Sequence, residues 1–70
     1  MSEYAQFLQE KQQLEALVGQ QFTITGVKED LSGAWVHLIN AQGETASLHL
    51  ETANARKYLG SVLIRQEHHT

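Results

Sequence analysis

The chain has 70 residues, no cysteine, no proline and a formal net charge of −3. At this length a single hydrophobic core is the economical arrangement, so we predict one domain spanning residues 1–70. The lack of cysteine excludes a disulfide framework, a cysteine-bound zinc ion and a thiol nucleophile. No apolar run approaches the ~18 residues of a membrane span, and no basic start leads into an apolar signal core. We therefore expect a cytoplasmic protein without membrane attachment.

The first segment has the residue spacing of an amphipathic helix. Its apolar residues recur at intervals of three and four, with good helix formers between them. Ser2 is suited to the N-cap and Gly19 to a left-handed C-terminal cap. We predict a helix over about residues 3–18 that docks on a sheet of the same chain, with Glu10 on its solvent face. The apolar stripe consists of Tyr4, Phe7, Leu8, Leu14, Leu17 and Val18.

After Gly19 the apolar period changes to two, which predicts strands. We expect strands at about 21–28, 34–39 and 44–50, with a bulge or bend at Gly26. The last third is predicted to contain a short helix, a fourth strand and a frayed tail. These three segments cover about residues 53–58, 61–65 and 66–70, with Gly60 ending the helix.

Residues 40–43 have the composition of a type I turn closed by a left-handed glycine. Such a turn makes Asn40 face Glu44 and fixes the partner of every residue in the second and third strands. One face of this hairpin is then wholly apolar and is assigned to the core. That face carries Ala34, Val36, Leu38, Ala46, Leu48 and Leu50. The other face carries Trp35, His37, Ile39, Thr45, Ser47 and His49.

The predicted fold class is α+β, with an N-terminal helix followed by a small, strongly bent antiparallel sheet. The predicted order of elements is similar to that of small SH3-like or Sm-like barrels. It consists of a helix, three meandering strands, a helical turn and a last strand. This resemblance is architectural and covers the whole chain, and it carries no family motif that assigns binding residues. An open four-stranded sheet with a helix across one face explains the same pattern.

The residues offer little that is typical of catalysis or metal binding. His37 is expected opposite Ser47, but no carboxylate is placed to orient the imidazole, and a domain of this size has little room for a pocket. His37 and His49 lie diagonally across the predicted hairpin, whereas zinc needs a third or fourth ligand, which His68, His69 or a second subunit would have to supply. We therefore predict a protein that is not an enzyme and has no metal site and no cofactor.

Two functions remain. The first is a small interaction or regulatory accessory protein that forms a homodimer or binds a protein partner. The composition of the chain fits an accessory protein of a bacterium or its phage. Its candidate partner-binding residues are Trp35, His37, Ile39 and His49. A competing interpretation packs Trp35 beneath the N-terminal helix instead.

The alternative function is single-stranded nucleic-acid binding by a small barrel. Bases would stack on Trp35, His37 and His49, and phosphates would contact the cations of the C-terminal third. Those cations are Arg56, Lys57 and Arg65. The net negative charge disfavours this alternative, because phosphate contacts supply most of the affinity for nucleic acid.

Overall fold

A computed structural model describes residues 2–67 of the chain. Their elements are helix α1 (Glu3–Gly19), strands β1 (Thr23–Asp30), β2 (Gly33–Ile39) and β3 (Thr45–Leu50), and helix α2 (Ala53–Glu67). The strands form one antiparallel sheet in the order β1-β2-β3. The predicted α+β class is confirmed, but the sheet has three strands and does not close into a barrel.

The predicted fourth strand at residues 61–65 is wrong, because these residues belong to α2. Ala55, Leu59 and Val62 follow one another at intervals of four and three and bury one face of this helix. Gly60 lies inside the helix instead of ending it. With no fourth strand among the described residues, nothing closes the sheet on itself, and the expected SH3-like closure is not formed.

Gln66 lies in the last turn of α2 and not in a frayed tail. Its side-chain amide donates to the carbonyl of Ile24 and accepts from the Ile24 N–H, both at 3.0 Å. A side chain thus pairs with an edge residue of β1 as a neighbouring strand would. Residues 68–70 of the predicted tail lie outside the described residues.

The two ends of α1 differ in how well they were predicted. The Ser2 hydroxyl accepts a hydrogen bond at 3.2 Å from a backbone N–H of the first turn, as expected of an N-cap. The C-terminal prediction is wrong, since Gly19 is still helical and Gln21 adopts the left-handed conformation, with φ 69°. The Phe22 N–H bonds to the Leu17 carbonyl at 3.1 Å, and both side chains pack on the core. This hydrogen bond closes the end of the helix with Gln21 as its left-handed residue.

The pairing of β2 with β3 is the register that the turn at residues 40–43 predicted, from Ile39 opposite Thr45 to Ala34 opposite Leu50. Gly43 has φ 84°, and the Asn40 N–H bonds to the Glu44 carbonyl at 3.0 Å. The bulge is also confirmed, because the β1–β2 register shifts between Ile24 and Gly26. β1 begins and ends later than predicted, so the turn to β2 contains only two residues.

Both helices pack on the apolar face of the sheet, which confirms the predicted docking of α1. The two helices and the sheet share one core cluster, Ala46 and Leu48 of the apolar face are partly buried against it, and Ala34 is fully buried. Burial of these side chains is the main favourable term in folding. The cluster consists of Leu14, Ile24, Val36, Leu38, Leu50, Ala55, Leu59 and Val62.

A buried carboxylate joins α1 to the start of α2. Glu10, predicted to face solvent, is only 6% exposed. It accepts hydrogen bonds from the Glu51 N–H at 2.9 Å, the Thr52 N–H at 3.1 Å and the Thr52 hydroxyl at 2.8 Å. Thr52 in turn caps α2, since its hydroxyl accepts from the Ala55 N–H at 3.2 Å. The position of α2 therefore depends on a side chain of α1.

Burial opposes ionisation of Glu10, but hydrogen bonds from Glu51, Thr52 and Gln6 outweigh it and lower the pKa of this carboxyl below its ordinary value. A lowered pKa in the folded state contributes stability above the ordinary glutamate pKa of about 4.3, and that contribution is lost as the pH falls through the folded value.

We therefore expect wild type to have a higher free energy of unfolding than Glu10→Gln. This difference should be constant above about pH 6 and should shrink as the pH falls below about 4. Glu10→Gln removes this titration while leaving the other acidic groups in place. Urea unfolding of both proteins at stepped pH measures the difference. A difference that stays the same down to pH values near 3 contradicts the assignment of ionised Glu10 to this junction.

Candidate functional site

The face of the sheet opposite the helices carries the residues predicted to bind a partner. Residues of β2 alternate between the core and this face, and their partners on β3 share it. Lys28 of β1 pairs directly with Trp35 and so lies on the same side. We call this surface the open face, and it consists of Lys28, Trp35, His37, Ile39, Thr45, Ser47 and His49.

The centre of the open face is a stacked pair of rings. Trp35 and His49 are cross-strand partners whose ring centroids lie 4.5 Å apart at an interplanar angle of 25°. Trp35 is 41% exposed and Ile39 is 37% exposed. Trp35 therefore does not pack beneath α1, which contacts the other face. The structure brings the four predicted partner-binding residues together on one surface.

Two carboxylates lie beside His49. Its Nδ1 atom is 3.5 Å from Oε1 of Glu51, and its Nε2 atom is 3.9 Å from Oδ1 of Asp30. The Nε2 atom is buried and has no hydrogen-bond partner among residues 2–67. The other oxygen of Glu51 accepts a hydrogen bond from the Gln6 amide at 2.8 Å, which ties this carboxylate to α1. One end of the ring stack is thus acidic.

Asp30 ends β1 and is held by the turn that follows it. The Ser32 hydroxyl and the Ser32 N–H donate to Oδ1 of Asp30 at 3.0 and 2.9 Å. These hydrogen bonds, with a smaller contribution from nearby His49, lower the pKa of Asp30 below its ordinary value. Asp30 is therefore a fixed negative charge beside the stack at neutral pH, whereas Lys28 supplies a positive charge on the same side of the sheet.

The residues of the nucleic-acid alternative are not brought together. Trp35, His37 and His49 lie on the open face, whereas the predicted phosphate contacts lie on α2, which packs on the opposite side. Arg65 lies over the Tyr58 ring, with Cζ 5.8 Å from the ring centroid. The remaining two predicted contacts, Arg56 and Lys57, are exposed near the start of α2.

The histidines of the open face make polar contacts within the sheet. His37 Nδ1 lies 3.2 Å from the Ser47 hydroxyl, the cross-strand contact that the register predicted. Within residues 2–67, no three His, Asp or Glu side chains are grouped so as to hold a metal ion. His68 and His69, considered above as further ligands, lie outside the described residues. In the same part of the chain, neither helix combines the length and apolarity needed to cross a bilayer.

Comparison with protein-family models, with curated proteins and with solved structures found no match to this chain.

The sequence reasoning missed the charged residues around the stack. Lys28 and Asp30 share a face with Trp35 because the bulge before Gly26 shifts the alternation of β1 by one residue. Glu51 follows β3 and continues the alternation of His49. The glycine at the bulge was the signal that could have placed the two β1 side chains.

Proposed function

We propose that this domain is a non-enzymatic interaction module that self-associates through the open face. The observation that carries the proposal is the exposed Trp35 ring, stacked on His49 and accompanied by exposed Ile39, on a sheet face that neither helix covers. Tryptophan is among the residues that most often dominate binding energy at interfaces, and a rigid stacked pair loses little conformational entropy on binding. A small domain also gains stability by covering such a surface.

The charges on and beside the open face support a second copy as the partner. A two-fold interface is formed by one patch meeting itself, so the patch must be complementary to its own rotated image. Lys28 stands on one side of Trp35, and the carboxylates of Asp30 and Glu51 stand beside His49. When two such faces meet, Lys28 of each copy can approach a carboxylate of the other.

The same geometry gives less support to nucleic-acid binding. A stacking platform binds single strands when cations line the same groove and contact the phosphates. Here the platform is flanked by Asp30 and Glu51, and the predicted phosphate contacts lie on the helix side of the sheet. A strand stacked on Trp35 and His49 would lie beside two carboxylates and the single cation Lys28.

Sedimentation across micromolar to millimolar concentration tests the proposal. We expect wild type to associate reversibly, and Trp35→Ala to weaken the association by at least about tenfold because it removes the central ring. Tyr4→Ala is the matched control, since Tyr4 is an exposed aromatic residue on α1, away from the open face. A wild-type protein that stays monomeric throughout, or equal effects of the two substitutions, contradicts self-association through this face.

A charge exchange tests the two-fold arrangement itself. Lys28→Glu and Glu51→Lys should each weaken self-association, because each places like charges across the interface. An equimolar mixture of the two variants should associate better than either alone, since positions 28 and 51 of facing copies then carry opposite charges. A mixture that associates no better than its components contradicts the two-fold pairing.

A further inference from the structure

A second surface, distinct from the open face, has the features of a ligand site. Where α1 ends, β1 begins and α2 approaches its last turn, the described residues leave a groove of about 850 Å³ that is open along one side. Its apolar lining includes Val18, Phe22 and Val62. This volume lies within the range of pockets that bind small organic molecules, which are mostly apolar with a few polar groups.

The groove is bounded by elements that hold one another in place. Gln66 lines it and is fixed by its two hydrogen bonds to Ile24. Gly19 lines the other end, and a Cβ at this position would have no neighbour within 4 Å. A side chain could therefore be added at Gly19 without a clash.

Two cations lie over the ring of Tyr58, which lines the groove. Arg65 lines the groove with Tyr58, and its Nη2 atom lies 3.5 Å from the Tyr58 hydroxyl. Lys11 of α1 also approaches this ring, with Nζ 5.3 Å from the centroid. Within residues 2–67, neither cation has a carboxylate within 4.0 Å. The lining itself contains one cation, Arg65, and one carboxylate, Glu15, and Lys11 adds a second positive charge at Tyr58 from outside the lining.

We propose that the groove binds a small amphipathic carboxylate. Its apolar body lies along Val18, Phe22 and Val62, and its carboxylate lies at Arg65, with Lys11 adding to the local positive potential. Charge complementarity selects this ligand class, because Arg65 lines the groove and has no carboxylate within 4.0 Å among residues 2–67, while Lys11 lies over the neighbouring Tyr58 ring. Glu15 repels an anionic head group and so directs it toward Arg65. The site is independent of the open face and of the proposed self-association.

Decanoate, kept below its micelle concentration, is a suitable probe in an amide-detected NMR titration at neutral pH. We expect saturable shifts confined to residues 15–23 and 58–66. Decyltrimethylammonium has the same chain with the opposite charge, and we expect it to bind this groove at least about fivefold more weakly. Equal binding of the two amphiphiles, or decanoate shifts that lie mainly elsewhere, overturns the proposal.

Two variants test the residues of the site. Arg65→Gln should weaken decanoate binding about fivefold, whereas Arg56→Gln, the same charge change at an exposed position near the start of α2, should leave it unchanged. Gly19→Leu should fill the groove and abolish saturable binding, with an unchanged amide spectrum elsewhere showing that the fold is retained. Equal effects of the two arginine substitutions, or undiminished binding to Gly19→Leu, overturns the proposal.

Discussion

Gly33→Ala is expected to lower the free energy of unfolding by about 3 kcal/mol. Gly33 begins β2 with φ 147°, a conformation that side chains disfavour, and it is buried. A Cβ there would overlap the carbonyl oxygen of Leu50 and lie 3.1 Å from the Cα of Glu51. Both obstacles are backbone atoms of the adjacent strand and its end, so no side-chain rotation relieves the overlap. Urea unfolding measures the loss.

Gly60→Ala provides the matched control for this substitution. Gly60 lies inside α2, and a Cβ there would meet nothing within 4 Å. Because alanine is the better helix former, we expect Gly60→Ala to raise the free energy of unfolding by about 0.5–1 kcal/mol. A loss below about 1 kcal/mol for Gly33→Ala contradicts the close approach of the β2 backbone to the end of β3.

Glu10→Ala is expected to cost about 3 kcal/mol, because it leaves three donors at the β3–α2 junction without their acceptor. These donors are the Glu51 N–H, the Thr52 N–H and the Thr52 hydroxyl. Glu10→Gln keeps one acceptor oxygen and should cost about half as much. Thermal or urea unfolding of the three proteins gives the comparison.

Glu15→Ala is the control for Glu10→Ala, since Glu15 is an exposed glutamate on the same helix. We expect its effect to stay within about 0.5 kcal/mol. Similar losses for the two alanine variants would mean that helix α1 as a whole, and not the buried carboxylate, is responsible.

The hairpin of β2 and β3 was predictable because one local feature specifies it. The turn at residues 40–43 permits one register, and that register alone gathers the apolar residues of both strands on one face. The face carrying Trp35 and His49 followed from the same reasoning. Whether a helix covered that face depended on packing between distant segments, which no local pattern contains.

The C-terminal helix was less predictable than the hairpin, because its sequence pattern supports both a helix and a strand. Over residues 61–65, Val62 and Ile64 alternate with polar residues as in a strand, whereas Val62 also continues the helical spacing of Ala55 and Leu59. Gly60 predicts the end of a helix, although a glycine inside a helix costs only about 1 kcal/mol. Burial of the apolar face of α2 against the core outweighs that cost.

The prediction that Glu10 faces solvent is wrong because it rests on the charge of the residue alone. Its position is three residues after Phe7 and four before Leu14, which puts it on the apolar stripe of α1. That spacing was a usable signal for burial. Its partners, however, are backbone groups more than 40 residues away, and their location requires the complete fold.

The proposal that the open face mediates self-association is tested most directly by amide NMR spectra of the wild-type protein over a dilution series. We expect concentration-dependent shifts at residues 35–39 and 45–49, where the open face lies on β2 and β3, with little change over the outer surfaces of α1 and α2. Spectra that do not change up to millimolar concentration, or changes confined to the helices, would contradict the assignment of the Trp35 surface as the interface.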